Sequence, residues 1–136
     1  MEVIKRVFGY VHIAMALIVA VQFLASPMYG GDLNGEIWDA VSIMMAVGVV
    51  AASVFAAIRM REESESGDWG SRVMLIATIA LSLLFFRLFF SSQLFESDEK
   101  PPYEFRLLMW YGIDVLFVIV NLFVGRYLLR GSNAGN

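Results

Sequence analysis

The sequence predicts an all-α, integral-membrane four-helix bundle, and three observations carry that expectation. Four apolar runs fill the 136-residue chain, each near the ~20 residues that a helix needs to cross hydrocarbon. Polar or Gly/Pro-bearing breaks separate the runs, and none shows the period-two alternation of a membrane barrel strand. At 59% hydrophobic residues and a mean hydropathy of +0.68, the chain carries more apolar surface than a soluble domain of this size could hide.

The first span is expected over 7–25, directly after Lys5 and Arg6. It could be mistaken for a secretory signal. A cut after Ala25 would leave Phe23 at the third position back, and a cut after Ser26 would leave Leu24 there, where small residues are required. An uncleaved span is the expectation. The break at 26–32 contains Pro27, Gly30 and Gly31. The second span, 37–58, has Asp32 or Asn34 as a cap, and Glu36 and Asp39 complement the positive end of its dipole. A break at 59–72, with four acids and two glycines, leads to the third span, 73–90. The break at 91–104 ends near Pro101 and Pro102, and proline is tolerated where a helix starts. The fourth span covers 105–129. Residues 1–130 thus read as a single four-span transmembrane domain, and 131–136 as a flexible tail with no reason to be ordered.

Charge sets the expected orientation. Lys5, Arg6, Arg59, Arg61, Arg72, Arg126 and Arg130 collect on one side, against Lys100 and Arg106 on the other. The positive-inside rule makes the first side cytoplasmic, with both termini there, in the cytoplasmic (inner) membrane of the cell. A formal net charge of -3 and the lack of a basic stripe argue against a nucleic-acid partner. The absence of cysteine excludes disulfides, thiolate metal sites and cysteine nucleophiles.

Two ionic residues fall inside the last two spans. Arg87 lies 15 residues after Arg72 and Asp114 lies 12 before Arg126, roughly 22 Å and 18 Å above one membrane face on antiparallel neighbours. An unpaired charge at such depth costs on the order of 3 kcal/mol, so an Arg87–Asp114 pair is expected, as a buried salt bridge. It could fix helix register, reach another subunit, or belong to a proton path.

Asp114, Asn121 and Gly125 recur at spacings that place them on one helix face. Asn121 lies near the depth of His12, so a His12–Asn121 hydrogen bond between helices is expected. His12 is the only histidine. As a ligand it would need a companion, for which Met15 is the nearest soft donor, yet methionine in such a chain is ordinary packing. Gly48, Ala52 and Ala56 form a small-residue row on the second span, and Ala16 and Ala20 continue the four-residue spacing of His12 on the first. Such rows let helix backbones approach closely. Phe85, Phe86, Leu88, Phe89, Phe90 and Phe95 read as an aromatic belt facing lipid or a neighbouring subunit.

No nucleophile motif, phosphate loop or metal-hydrolase helix is found, and Gly-Asp-Trp-Gly at 67–70 is too short to cradle phosphate. No cofactor and no independent enzyme activity are expected. The function expected is that of a non-catalytic accessory subunit of a larger membrane complex, such as a membrane oxidoreductase, with the bilayer and larger membrane subunits as partners. Two alternatives remain open. One is a small transporter for protons, ions or small molecules using Asp114, Asn121 and His12. The other is a haem- or copper-binding anchor using His12.

Overall fold

A computed structural model describes residues 2–29, 31–62, 69–94 and 102–133. These form four helices: α1 (Glu2–Ala25), α2 (Asp32–Glu62), α3 (Trp69–Leu94) and α4 (Tyr103–Asn133). Each contains a stretch long and apolar enough to cross a membrane. No strand occurs among the described residues.

All four helices overrun the apolar runs that announce them. α2 begins at Asp32 and ends at Glu62, so polar turns flank its apolar stretch. α4 starts directly after Pro102, whose carbonyl accepts from Arg106 N at 3.1 Å. It continues through Gly131 to Asn133, further than composition suggests; the last three residues of the expected tail lie outside the described set. Between α1 and α2 a short 3-10 turn spans Ser26–Met28, and Gly31 adopts φ +79, a conformation open to glycine without strain. Asn34 does not serve as a side-chain cap. Its Oδ1 accepts from Gln22 Nε2 at 3.4 Å, while Tyr29 donates to Gln22 Oε1, which ties the turn to the end of α1.

α1 packs most intimately on α4, α2 on α3, and α3–α4 and α1–α2 contacts close the ring. The α1–α4 seam is antiparallel. Gly9 faces Gly125, His12 faces Asn121, and Phe23 meets Tyr111 edge-on at 5.5 Å. A Cβ on Gly125 would lie 2.8 Å from Gly9 O, so the backbones touch there and only glycine fits. Phe85, Phe117, Met45 and Leu81 fill the centre. The small-residue row of α2 also faces inward. Ala52 and Ala56 are fully buried, and Gly48 makes room for the Phe117 ring and Met15 Sδ. Large apolar side chains on the outside, among them Leu24, Val47, Ile76, Leu83 and Phe123, remain more than half exposed. An outer surface of that kind suits hydrocarbon, not water.

Candidate functional site

The polar groups inside the bundle lie on two helix pairs. On α1–α4, His12 Nδ1 and Asn121 Oδ1 stand 2.6 Å apart, both residues fully buried. Asn121 Nδ2 donates to Phe117 O at 2.9 Å, which fixes Oδ1 as the acceptor toward the ring. His12 Nδ1 must therefore carry the proton, leaving Nε2 with its lone pair. Nε2 is buried and has no hydrogen-bond partner; the ring meets Phe55 edge-on at 5.9 Å. Met15 Sδ is directed to the Gly48 contact. Among the described residues, no group of three or more His, Cys, Asp or Glu gathers as a metal site would require.

On α2–α3, Ser53 Oγ and Ser82 Oγ lie 2.9 Å apart. One hydroxyl donates to the other, and the remaining proton goes to a backbone carbonyl of its own helix, Val49 O at 2.9 Å from Ser53 Oγ or Thr78 O at 2.8 Å from Ser82 Oγ. This serine clasp was not singled out in the sequence. Two serines within apolar runs were its only signal.

The expected Arg87–Asp114 pair is not made. Arg87 is exposed. Asp114 is only 3% exposed, and its Oδ1 is buried without a partner. The one salt bridge among the described residues joins Lys5 to Glu62 at 3.3 Å, outside the apolar stretches, between partly exposed side chains. It is not a buried salt bridge.

The cause is register and face. Phe85 of α3 packs against Trp110 of α4 at 5.9 Å. Since these helices run antiparallel, Asp114 is level with Leu81, and Arg87 stands six residues, roughly 9 Å, further along. Phe85 points into the core, and two residues on, Arg87 points nearly the opposite way. Depths counted from Arg72 and Arg126 differ by only about 4 Å, less than the offset that the packing of α3 on α4 imposes.

Asp114 lies instead at the floor of a groove between α1 and α4. Ala20, Phe23, Leu24, Val115, Val118 and Ile119 complete a space of about 210 Å³. Ala20 thus lines this groove, while Ala16 is sealed in the seam. Between Asp114 and Asn121 the seam is filled by the fully buried Phe117 and Ala16.

The aromatic belt of α3 is divided. Phe85 is fully buried and Leu88 nearly so, whereas Phe90 is half exposed. Phe86 stacks on Phe90 at 5.7 Å and Phe85 on Phe89 at 5.7 Å, making a ladder from core to surface. Phe95 lies outside the described residues. Comparison with known protein families, curated proteins and solved structures gives no match to this chain.

Proposed function

We propose that this chain is a non-catalytic subunit that assembles through its outer surface into a larger complex of the cytoplasmic membrane. In this reading both termini lie on the cytoplasmic side, where most Lys and Arg residues collect. One observation carries the proposal. The two ionic groups at bilayer depth, Arg87 on the outside of α3 and Asp114 in the α1–α4 groove, have no counter-charge among the described residues. Charges retained at such depth pair with something or cost several kcal/mol. In this reading a neighbouring polypeptide supplies the counter-charges.

The interior favours the same reading. His12 with Asn121 and Ser53 with Ser82 make helix-to-helix hydrogen bonds, and apolar packing separates Asp114 from Asn121, where a conduction path would need polar groups. A membrane oxidoreductase host adds a specific expectation, that redox-cofactor subunits are among the co-purified chains.

Extraction in mild detergent followed by mass spectrometry tests the proposal. Larger membrane polypeptides co-purify in a fixed ratio if it holds, and Arg87→Ala lowers their recovery. Recovery of the chain by itself, under conditions that preserve other membrane complexes, overturns it.

A further inference from the structure

We infer that a second copy of this chain docks on the outer face of α4, with Arg87 of each copy entering the Asp114 groove of the other. The inference rests on the reading above, that the chain works by assembling, and names one occupant of its surface.

Three features lead there. The first is placement. Ile119 borders both the α1–α4 groove that holds Asp114 and a groove between α4 and α3 that Val73 also lines. Arg87 lies two heptads beyond Val73, on the same side of α3 with a small drift. The carboxylate and the guanidinium therefore flank one ridge, that of α4, on opposite sides. When two such faces meet about a two-fold axis along the membrane normal, the left side of each opposes the right side of the other. Asp114 then faces Arg87 twice, the self-complementary pattern of an isologous dimer.

The second feature is depth. Two copies inserted in the same direction keep the roughly 9 Å offset between these residues. Side chains lean toward the N-terminus of their own helix. The two helices are antiparallel, so Arg87 leans toward the level of Asp114, and Asp114 leans toward the level of Arg87. The long arginine stem spans most of the offset along an apolar surface. Within one chain the same lean achieves nothing, because the ridge stands between the two groups.

The third feature is the ridge itself. Leu108, Gly112, Val115, Ile119 and Phe123 are all exposed along α4. Gly112 is in their midst, and a Cβ there would meet nothing within 4 Å. A glycine with no demand on it from its own chain leaves a notch where a second helix can come close.

The native chain has no cysteine, which makes the test clean. Gly112→Cys is expected to cross-link to a dimer of this chain in native membranes under mild oxidation, while Val47→Cys, on the exposed side of α2, is not. Arg87→Glu opposes like charges at both contacts, and so does Asp114→Lys. Each variant carrying Gly112→Cys loses the cross-linked homodimer. Co-expressed with different tags, the two chains form a heterodimer, because both contacts are then between opposite charges, and that product also demonstrates that each variant folds.

Homodimers unaffected by the reversals, or equal cross-linking at Val47→Cys, overturn the inference. A Gly112→Cys adduct with a larger polypeptide overturns it too, while upholding the proposed function. Recovery of a lone chain throughout removes both. If the reversed chains fail to accumulate, the comparison of Gly112→Cys with Val47→Cys decides alone.

Discussion

Gly125→Ala probes the tightest point of the bundle. The added Cβ would lie 2.7 Å from Ile13 Cγ1, 2.8 Å from Gly9 O and 3.2 Å from Ile13 N. The Ile13 side chain can rotate away, but the two backbone atoms cannot. Relief to an ordinary contact of about 3.5–4 Å requires α1 and α4 to part by roughly 1 Å at the crossing. Two effects oppose each other. Alanine is favoured over glycine inside a helix by about 0.5–1 kcal/mol, whereas overpacking of this kind costs about 1–3 kcal/mol. The His12–Asn121 hydrogen bond lies one turn away at 2.6 Å, and stretching it forfeits part of a further ~0.6–2 kcal/mol. The steric effect wins, and a net loss of about 1–3 kcal/mol is expected.

Reversible unfolding in mixed detergent micelles, followed by circular dichroism and tryptophan fluorescence, reads that loss. Gly35→Ala is the internal control. Its Cβ would meet nothing within 4 Å, so the helix gain of up to about 1 kcal/mol stands unopposed. If Gly125→Ala is as stable as the unaltered protein, or matches Gly35→Ala, then the backbone contact does not hold α1 to α4 and the reasoning fails.

Asn121→Ala strands the His12 Nδ1–H and is expected to cost about 1–3 kcal/mol; a double-mutant cycle with His12→Phe should return a coupling of about 0.6–2 kcal/mol by the same unfolding assay. Nitrogen NMR of the histidine ring should find the proton on Nδ1 and none on Nε2. Gly48→Ala places a Cβ 2.9 Å and 3.0 Å from atoms of the Phe117 ring, which is fully buried; a loss of about 1–3 kcal/mol is expected in thermal melts. Lys5→Ala removes the partly exposed bridge to Glu62 and should change stability by less than about 1 kcal/mol, with the difference shrinking as salt is added.

The four helices were legible because hydrocarbon imposes a length and a composition on anything that crosses it. Their ends were less so. Glu2–Lys5 and Asp32–Glu36 extend helices into polar sequence, since a chain already helical in the bilayer gains a backbone hydrogen bond with each added residue. The His12–Asn121 approach could be read from depth, as both belong to helices whose register the seam holds closely. The Gly9–Gly125 crossing could not. Either glycine alone is unremarkable in a membrane helix, and only the pairing of the first helix with the last gives them meaning. The α2 row of Gly48, Ala52 and Ala56 was visible, but not that Gly48 serves to admit the ring of Phe117.

Arg87 and Asp114 expose a fault in the usual logic of burial. In water, polarity falls steeply from surface to core, and a charge is pushed outward. Around this bundle both directions are apolar, so no such gradient sorts the residues. An ionic side chain turns inward only where a counter-charge shares both its depth and its face. Here the depths differ by roughly 9 Å, less than two turns of helix, and the ridge of α4 divides the faces. Inside, the chain uses neutral groups that satisfy one another, a histidine with an amide and a serine with a serine. Its two charges are left where another polypeptide can answer them. In the proposed assembly, neutral contacts hold the bundle together and the flanking charges select what it accepts. Neutralising the flank should therefore dissolve assembly without unfolding the bundle. Arg87→Gln and Asp114→Asn together should leave the bundle as stable as before or more so, because they break no salt bridge among the described residues and remove charges without a counterpart there, while abolishing the cross-link at Gly112→Cys.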